Sequence, residues 1–120
     1  MPVKSGVAND RVLCYYHCKK WGDPMKTLTI CGSMRFANEM KKIAWDLEYN
    51  KGYCVIQLVY NDGNEISAEG KLRLDAAHRR KIELSDGIYV VNIGGYIGES
   101  VRNEIALAEN LGKEIIYHER

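Results

Sequence analysis

The sequence has no apolar run near the roughly 20 residues that a membrane-spanning helix needs, and its N-terminus lacks the apolar region of a signal peptide. Its formal net charge is only +1, so no basic surface for a nucleic-acid backbone is expected. With 46% hydrophobic and 28% charged residues among 120, the composition is that of a globular domain. We therefore expect a cytoplasmic protein that binds neither a membrane nor a nucleic-acid polymer.

The four cysteines do not form a recognisable metal-ligand pattern. Cys31 and Cys54 lie inside apolar runs, which predicts buried free thiols. Cys14 and Cys18 flank His17 in "CYYHC", which is half of a zinc site, but no second ligand pair follows at finger or ribbon spacing. We therefore expect no metal and no cofactor.

Residues 1–24 differ in character from the rest of the chain, because their periodicity is weak and they end in the turn-forming "GDP". We interpret them as an N-terminal extension, either a short edge strand or a partly ordered arm. The alternative is an oligomer contact built around Tyr15, Tyr16 and Trp21. Residues 25–120 then form one α/β domain.

From residue 25 onward, short apolar runs alternate with segments whose apolar residues recur at helical spacing. The runs predict strands at 27–31, 53–60, 87–92 and 115–117, and the periodic segments predict helices at about 36–51, 71–85 and 100–111. Gly112 follows the last helix in the position that favours a C′ glycine.

Strands that are apolar on both faces and alternate with helices are typical of a parallel sheet covered on both sides. We predict a doubly wound, flavodoxin- or Rossmann-like α/β fold with a parallel sheet of four to five strands flanked by helices, in the order 2-1-3-4. Ligands in such folds bind at the carboxyl ends of the strands. Here those ends are 31–33 and 92–98, so the two glycine-rich segments should meet in space.

A carboxylate falls on the apolar side of the third predicted helix. At 100° per residue, Glu104 projects into an apolar stripe, where an unpaired charge is costly. With Ser100 as the N-cap, the capping-box position is Asn103, so capping does not explain the glutamate. One explanation is a pair with a buried arginine or the helix N-terminus; the other is a catalytic carboxylate directed into the cleft. The stripe consists of Val101, Ile105, Ala108 and Leu111.

The second predicted helix shows the same anomaly, because His78 and Lys81 fall inside its apolar arc. A histidine on an apolar face is often a satisfied core residue, and a lysine can extend to the edge. The alternative is that both helices direct ionisable groups into one cleft, with Asp75 at its border. The arc consists of Leu74, Ala77, Ile82 and Leu84.

Two short loops are candidates for holding a substrate. "CGSMR" follows the first strand and opens a helix, so free backbone N–H groups, the Ser33 hydroxyl and the Arg35 guanidinium are available to an anion or to sugar hydroxyls. "GGYIGES" forms the second loop. Neither is a dinucleotide fingerprint or a P-loop, and a plain strand-to-helix turn is the alternative. The candidate substrate-binding residues are Gly32, Ser33, Arg35, Asn92, Gly95, Gly98 and Ser100.

Three segments, "TICGSMR", "KIELSDGIYVVN" and "GGYIGESVRNEIALAENLGK", together resemble the nucleoside 2-deoxyribosyltransferase superfamily, which includes the 2′-deoxynucleoside 5′-phosphate N-hydrolases. The resemblance covers residues 26 to 117. It implies a doubly wound fold, a homodimer or homotetramer, and cleavage of N-glycosidic bonds without a metal. Glu104 matches the family's catalytic glutamate, and the "GS-x-R" loop matches its substrate-holding loop.

The chain departs from the hydrolases at three places. Thr29 stands where they have a tyrosine, His78 where they have an aspartate, and Gly98 where they have a phosphate-binding serine, although Ser100 is close. Tyr96 is a candidate replacement for the tyrosine.

We expect cleavage or transfer at the N-glycosidic bond of a nucleoside or nucleotide. Glu104 is the expected nucleophile, and His78, titrating near neutrality, would protonate the departing base. One alternative is a non-catalytic nucleotide-binding or sensing module on the same fold. A third possibility is an interaction protein in which residues 1–24 are the working part.

Overall fold

The computed structural model describes residues 25–120. The predictions for residues 1–24, including the extension and the Cys14, His17 and Cys18 group, lie outside this described part. Four strands alternate with three helices, as the hydrophobic pattern predicted, and no helix within residues 25–120 is long and apolar enough to cross a membrane. The elements are β1 (Thr27–Gly32), α1 (Ala37–Tyr49), β2 (Cys54–Ile56), α2 (Ala68–Leu84), β3 (Gly87–Val91), α3 (Glu99–Asn110) and β4 (Glu114–Tyr117).

Two 3-10 helices, Met34–Phe36 and Ile93–Gly95, follow the carboxyl ends of β1 and β3. The four strands form one parallel sheet in the order β2-β1-β3-β4, which confirms the predicted strand order. Between the two central strands, Leu28 pairs with Gly87 and Gly32 pairs with Val91. The loops after β1 and β3 therefore leave the sheet side by side.

Alternation along the strands divides the core into two layers. Ile30 and Val91 face one side, where they pack with Met40 and Ala44 of α1. The neighbouring residues Cys31 and Val90 face the other side, because successive side chains of a strand point to opposite faces. There they pack with α2 and α3 in a cluster that includes Ile82, Ile88, Val101 and Ala108.

The second strand is much shorter than predicted. Hydrogen-bonded pairing stops at Ile56, and the apolar residues that follow leave the sheet in an extended loop. The predicted burial of the Cys54 thiol is wrong, because this residue begins the edge strand and is exposed. Leu58 and Val59, also assigned to that strand, instead line a cavity beside α2.

The predicted buried arc of α2 is correct only for Ile82. Leu74 and Ala77 are exposed at the cavity, where that end of the helix projects beyond the sheet. Leu84 is 62% exposed. It lies two positions after the buried Ile82, and two positions correspond to a rotation of about 200° around the helix axis, so its side chain is on the opposite face. The inward position predicted for His78 is confirmed, since it is 8% exposed.

Helix α3 begins one residue earlier than expected, with Gly98 rather than Ser100 as its N-cap. Ser100 therefore lies inside the helix, and Glu104 is in the second turn rather than the first. Leu111, expected in the apolar stripe, is 45% exposed at the C-cap. The chain reverses at Gly112, whose φ of 70° is in the left-handed region that favours glycine, as the sequence predicted.

Candidate active site

A cavity of about 380 Å³ lies at the carboxyl ends of β1 and β3, between α2 and α3. This is the position where open α/β sheets bind their ligands. The loop after β2 forms an apolar wall with Leu58, Val59 and Ile66. Six of the sequence-predicted site residues line the cavity, namely Gly32, Ser33, His78, Gly98, Ser100 and Glu104.

The Glu104 side chain is only 17% exposed, and α3 directs it toward β1 and α2. The pKa of this carboxyl group is raised to about 7, mainly by burial and in smaller part by the negative charge of Asp75. A hydrogen bond with the Cys31 thiol and the positive charge of Lys71 act in the opposite direction. Desolvation is the largest of these effects, so the neutral form of Glu104 is favoured more than in an exposed glutamate.

His78 lies on α2 opposite Glu104, with its Nε2 atom 3.7 Å from Glu104 Oε1. The pKa of this imidazole is lowered to about 4, mainly by burial and in smaller part by the positive charge of Lys81, while the charge of Asp75 opposes the shift. A histidine that titrates near neutrality was predicted, and that prediction is wrong because the ring is desolvated. At pH 7 the ring is neutral and cannot act as an imidazolium acid.

The Nδ1 atom of His78 is buried and has no hydrogen-bond partner among residues 25–120. A neutral imidazole has one donor and one acceptor nitrogen, so either tautomer leaves this atom unsatisfied. Such a group costs free energy, and its presence is typical of a functional site rather than a settled core.

Cys31 completes a three-residue group that the sequence reading missed. Its Sγ atom lies 3.5 Å from His78 Nε2, and its thiol also contacts Glu104, while burial raises its pKa well above the usual value. No local sequence signal indicated this role, because a cysteine in an apolar strand does not differ in pattern from its neighbours. One donor atom from each of Cys31, His78 and Glu104 lies within 4.8 Å of the others, so this group is able to hold a metal ion.

In the loop after β1, two of the predicted substrate-binding side chains make contacts with other protein groups. The Ser33 hydroxyl accepts a hydrogen bond from the Arg35 backbone N–H at 3.2 Å, capping the short 3-10 helix. The Arg35 guanidinium stacks 3.9 Å from the centre of the Tyr96 ring. Tyr96 lines the cavity, whereas Arg35 does not. Arg35 therefore does not contact the cavity itself, but it packs against a tyrosine that does.

Two other candidates stand apart from the cavity. The Asn92 amide bonds to the backbone of Glu119, donating to its carbonyl at 2.9 Å and accepting from its N–H at 2.8 Å. Gly95, with φ of 80°, belongs to the turn after β3. Neither residue lines the cavity. Thr29 is buried and donates its hydroxyl proton to the Lys81 carbonyl.

The cavity has further charged residues that the sequence reading did not propose as ligands of a substrate. Lys71 and Asp75 both line it and form an ion pair at 3.1 Å, one helical turn apart on α2. Lys81 also lines it, with its ammonium donating to the Gln57 carbonyl at 3.0 Å. The sequence could have indicated these residues, because residues three and four apart share a helix face, and these residues and His78 follow one another along α2 at such spacings.

Comparisons of the chain with protein-family models, with curated proteins and with solved structures find no match.

Proposed function

We propose that this protein cleaves or transfers at the N-glycosidic bond of a nucleoside or nucleotide, with Glu104 as the nucleophile. The observation that carries the proposal is a buried carboxyl group in the wall of a cavity of about 380 Å³, at the ligand-binding edge of the sheet. The resemblance in residues 26 to 117 supports the same role for this glutamate.

The chemistry begins with attack of a Glu104 carboxylate oxygen on the sugar carbon C1′. The C1′–O bond forms as the C1′–N bond breaks, and the electron pair of the C1′–N bond leaves with the base, which takes a proton from solvent. Water then adds to C1′, loses a proton to solvent and releases the Glu104 carboxylate, as in a retaining glycosidase. A second base in place of water gives transfer. At a pKa of about 7 the carboxyl group is about half ionised at neutral pH.

The start of α3 supports binding of sugar hydroxyls or a phosphate. Gly98, Glu99 and Ser100 all line the cavity. The N-cap is a glycine and has no side chain to bond the first N–H groups of the helix. Backbone donors at such a helix end favour an anion or a hydroxyl oxygen, whereas the carboxylate of Glu99 disfavours a phosphate at the same place.

The experiment is a panel of nucleosides and 5′-nucleotides, with free base measured by chromatography. We expect release of base from at least one member. Glu104→Gln should abolish that release while far-ultraviolet circular dichroism stays unchanged, since the amide has nearly the same shape but is a poor nucleophile. Retained turnover in the glutamine variant removes Glu104 from the mechanism.

A non-catalytic nucleotide-binding module is the second candidate, and one observation favours it. His78 stands where the related hydrolases have an aspartate, and its pKa of about 4 leaves it without a proton to give the base at neutral pH. For a binder, nucleotides would raise the melting temperature without any release of base.

The proposal includes the homodimer or homotetramer that the resemblance implies, and the cytoplasmic location expected from the composition of the sequence. Trp45 and Tyr49 of α1 support an association, because their rings stack at 5.1 Å on the surface and are 66% and 73% exposed.

A further inference from the structure

We propose that Cys31, His78 and Glu104 form a three-ligand site for a thiophilic divalent cation, with Zn²⁺ as the best fit. The sequence led us to expect no metal, because no second ligand pair follows Cys14 and Cys18 at finger or ribbon spacing. The inference goes beyond the proposed function and does not depend on it.

The distances agree with a tetrahedral metal. Zinc bonds of about 2.3 Å to sulfur and about 2.0 Å to nitrogen and oxygen place S and N about 3.5 Å apart, and N and O about 3.3 Å apart. The observed separations are 3.5 Å from Cys31 Sγ to His78 Nε2 and 3.7 Å from His78 Nε2 to Glu104 Oε1. The Glu104 oxygen is thus about 0.4 Å farther from His78 Nε2 than the ideal separation, and the three donor atoms all lie within 4.8 Å of one another.

The chemistry of the donors also fits. Thiolate, imidazole and carboxylate are the three ligand types of zinc, and the thiolate selects against Mg²⁺ and Ca²⁺. The ligands come from β1, α2 and α3, so packed elements hold them in place before a metal arrives. On binding, the metal takes the sulfur and oxygen lone pairs while the displaced protons pass to water.

The tautomer of His78 is compatible with a metal. A metal on Nε2 requires the proton to lie on Nδ1, and Nδ1 has no hydrogen-bond partner among the described residues that would favour the other tautomer. His78 and Glu104 both line the cavity, so the fourth position of the metal opens toward it.

Metal binding has a consequence for the proposed activity. A Glu104 oxygen bonded to Zn²⁺ is no longer free to attack C1′, so the metal and the glycosyl intermediate compete for one carboxylate. Zinc should therefore inhibit base release, and a chelator should restore it.

The test uses the full chain and Co²⁺ as a spectroscopic substitute for zinc. We expect a thiolate-to-cobalt charge-transfer band and visible bands of tetrahedral cobalt, saturating at one ion per chain and displaced by Zn²⁺. Cys31→Ser should remove the charge-transfer band. His78→Asn and Glu104→Gln should each weaken cobalt binding at least about tenfold, which keeps the test valid if the serine variant does not fold.

Two control variants separate this site from the other thiols. Cys54→Ser removes the exposed cysteine on β2 and should leave the cobalt spectrum unchanged. The double variant Cys14→Ser, Cys18→Ser removes the "CYYHC" thiols and should also keep it. Loss of the band in either control, survival of the band in Cys31→Ser, or no band in the natural chain overturns the proposal. The spectrum needs no turnover, so failure of the metal site is distinguishable from failure of the glycosidase.

Discussion

The imidazole of His78 lies 3.7 Å from the Glu104 carboxylate, yet the two groups do not form an ion pair near neutral pH. The separation alone suggests one, but burial shifts both pKa values toward the neutral forms, to about 4 for His78 and about 7 for Glu104. For each group, the free energy of hydration that the charged form loses on burial is larger than the attraction that the opposite charge would provide. Both side chains are largely enclosed, at 10% and 17% exposure, so the loss of hydration outweighs the attraction between the two groups.

The first prediction concerns the pH dependence of base release. If Glu104 attacks as a carboxylate, kcat/KM should rise with pH through a single ionisation near its pKa of about 7. Asp75→Asn should move this ionisation to lower pH, because the charge of Asp75 raises the pKa of Glu104. Lys71→Met should move it to higher pH. Initial rates across the pH range check this, and a rate that falls with pH through 7 would instead make Glu104 a proton donor.

The second prediction concerns stability. The pKa of Glu104 is about 7 in the folded state against an ordinary 4.5, so the folded protein binds more protons between these values. Its contribution to stability is therefore lost as pH rises from about 4.5 to about 7. Glu104→Gln has no ionisable group at this position, so its stability lacks this pH dependence. As pH rises from about 4.5 to about 7, the free energy of unfolding of the variant should increase relative to that of the natural chain by up to about 3 kcal/mol.

Urea denaturation at a series of pH values measures this difference. His78 has the opposite dependence, because its pKa is lowered and its stabilisation grows with pH, but it is present in both proteins and largely cancels. Glu109→Gln is the matched control, an exposed glutamate on the same helix, and should give a much smaller change. A difference that stays flat for Glu104→Gln would contradict the assigned burial.

The third prediction compares two glycines in the central strands. A Cβ on Gly87 would lie 2.6 Å from the backbone oxygen of Glu114 in β4, whereas one on Gly32 would lie 2.8 Å from the flexible Met40 sulfur. Backbone cannot move without breaking the sheet, so Gly87→Ala should cost about 3 kcal/mol or more and Gly32→Ala about 1–2 kcal/mol. Thermal denaturation of the two variants ranks them, and equal losses would contradict this explanation.

Much of the fold was predictable because its signals are local. Apolar runs and helical periodicity located all four strands and all three helices of residues 25–120, and the strand order that we expected for a doubly wound sheet is confirmed. The errors came where a run of apolar residues does not end up in the core. After Ile56 the chain keeps an apolar pattern, but those residues line a cavity rather than continue the edge strand.

The candidate site was predictable only in part. Glu104 and His78 were singled out because a polar group within an apolar periodicity is visible in one helix at a time. Cys31 was not, because a cysteine in an apolar strand has no such contrast with its neighbours. The structure places the Cys31 side chain on the face of the sheet that packs against α2 and α3 rather than α1, and this follows from how β1 is paired within the sheet.

By itself, the sequence determined the order of the elements, the parallel sheet and the two inward ionisable groups, since these follow from periodicities of a few residues. Only the tertiary structure decided that Cys31, His78 and Glu104 meet, and that Glu104 has a raised pKa while that of His78 is lowered. The physical reason is that meeting and desolvation both depend on packing between residues distant in the chain, which no local pattern records.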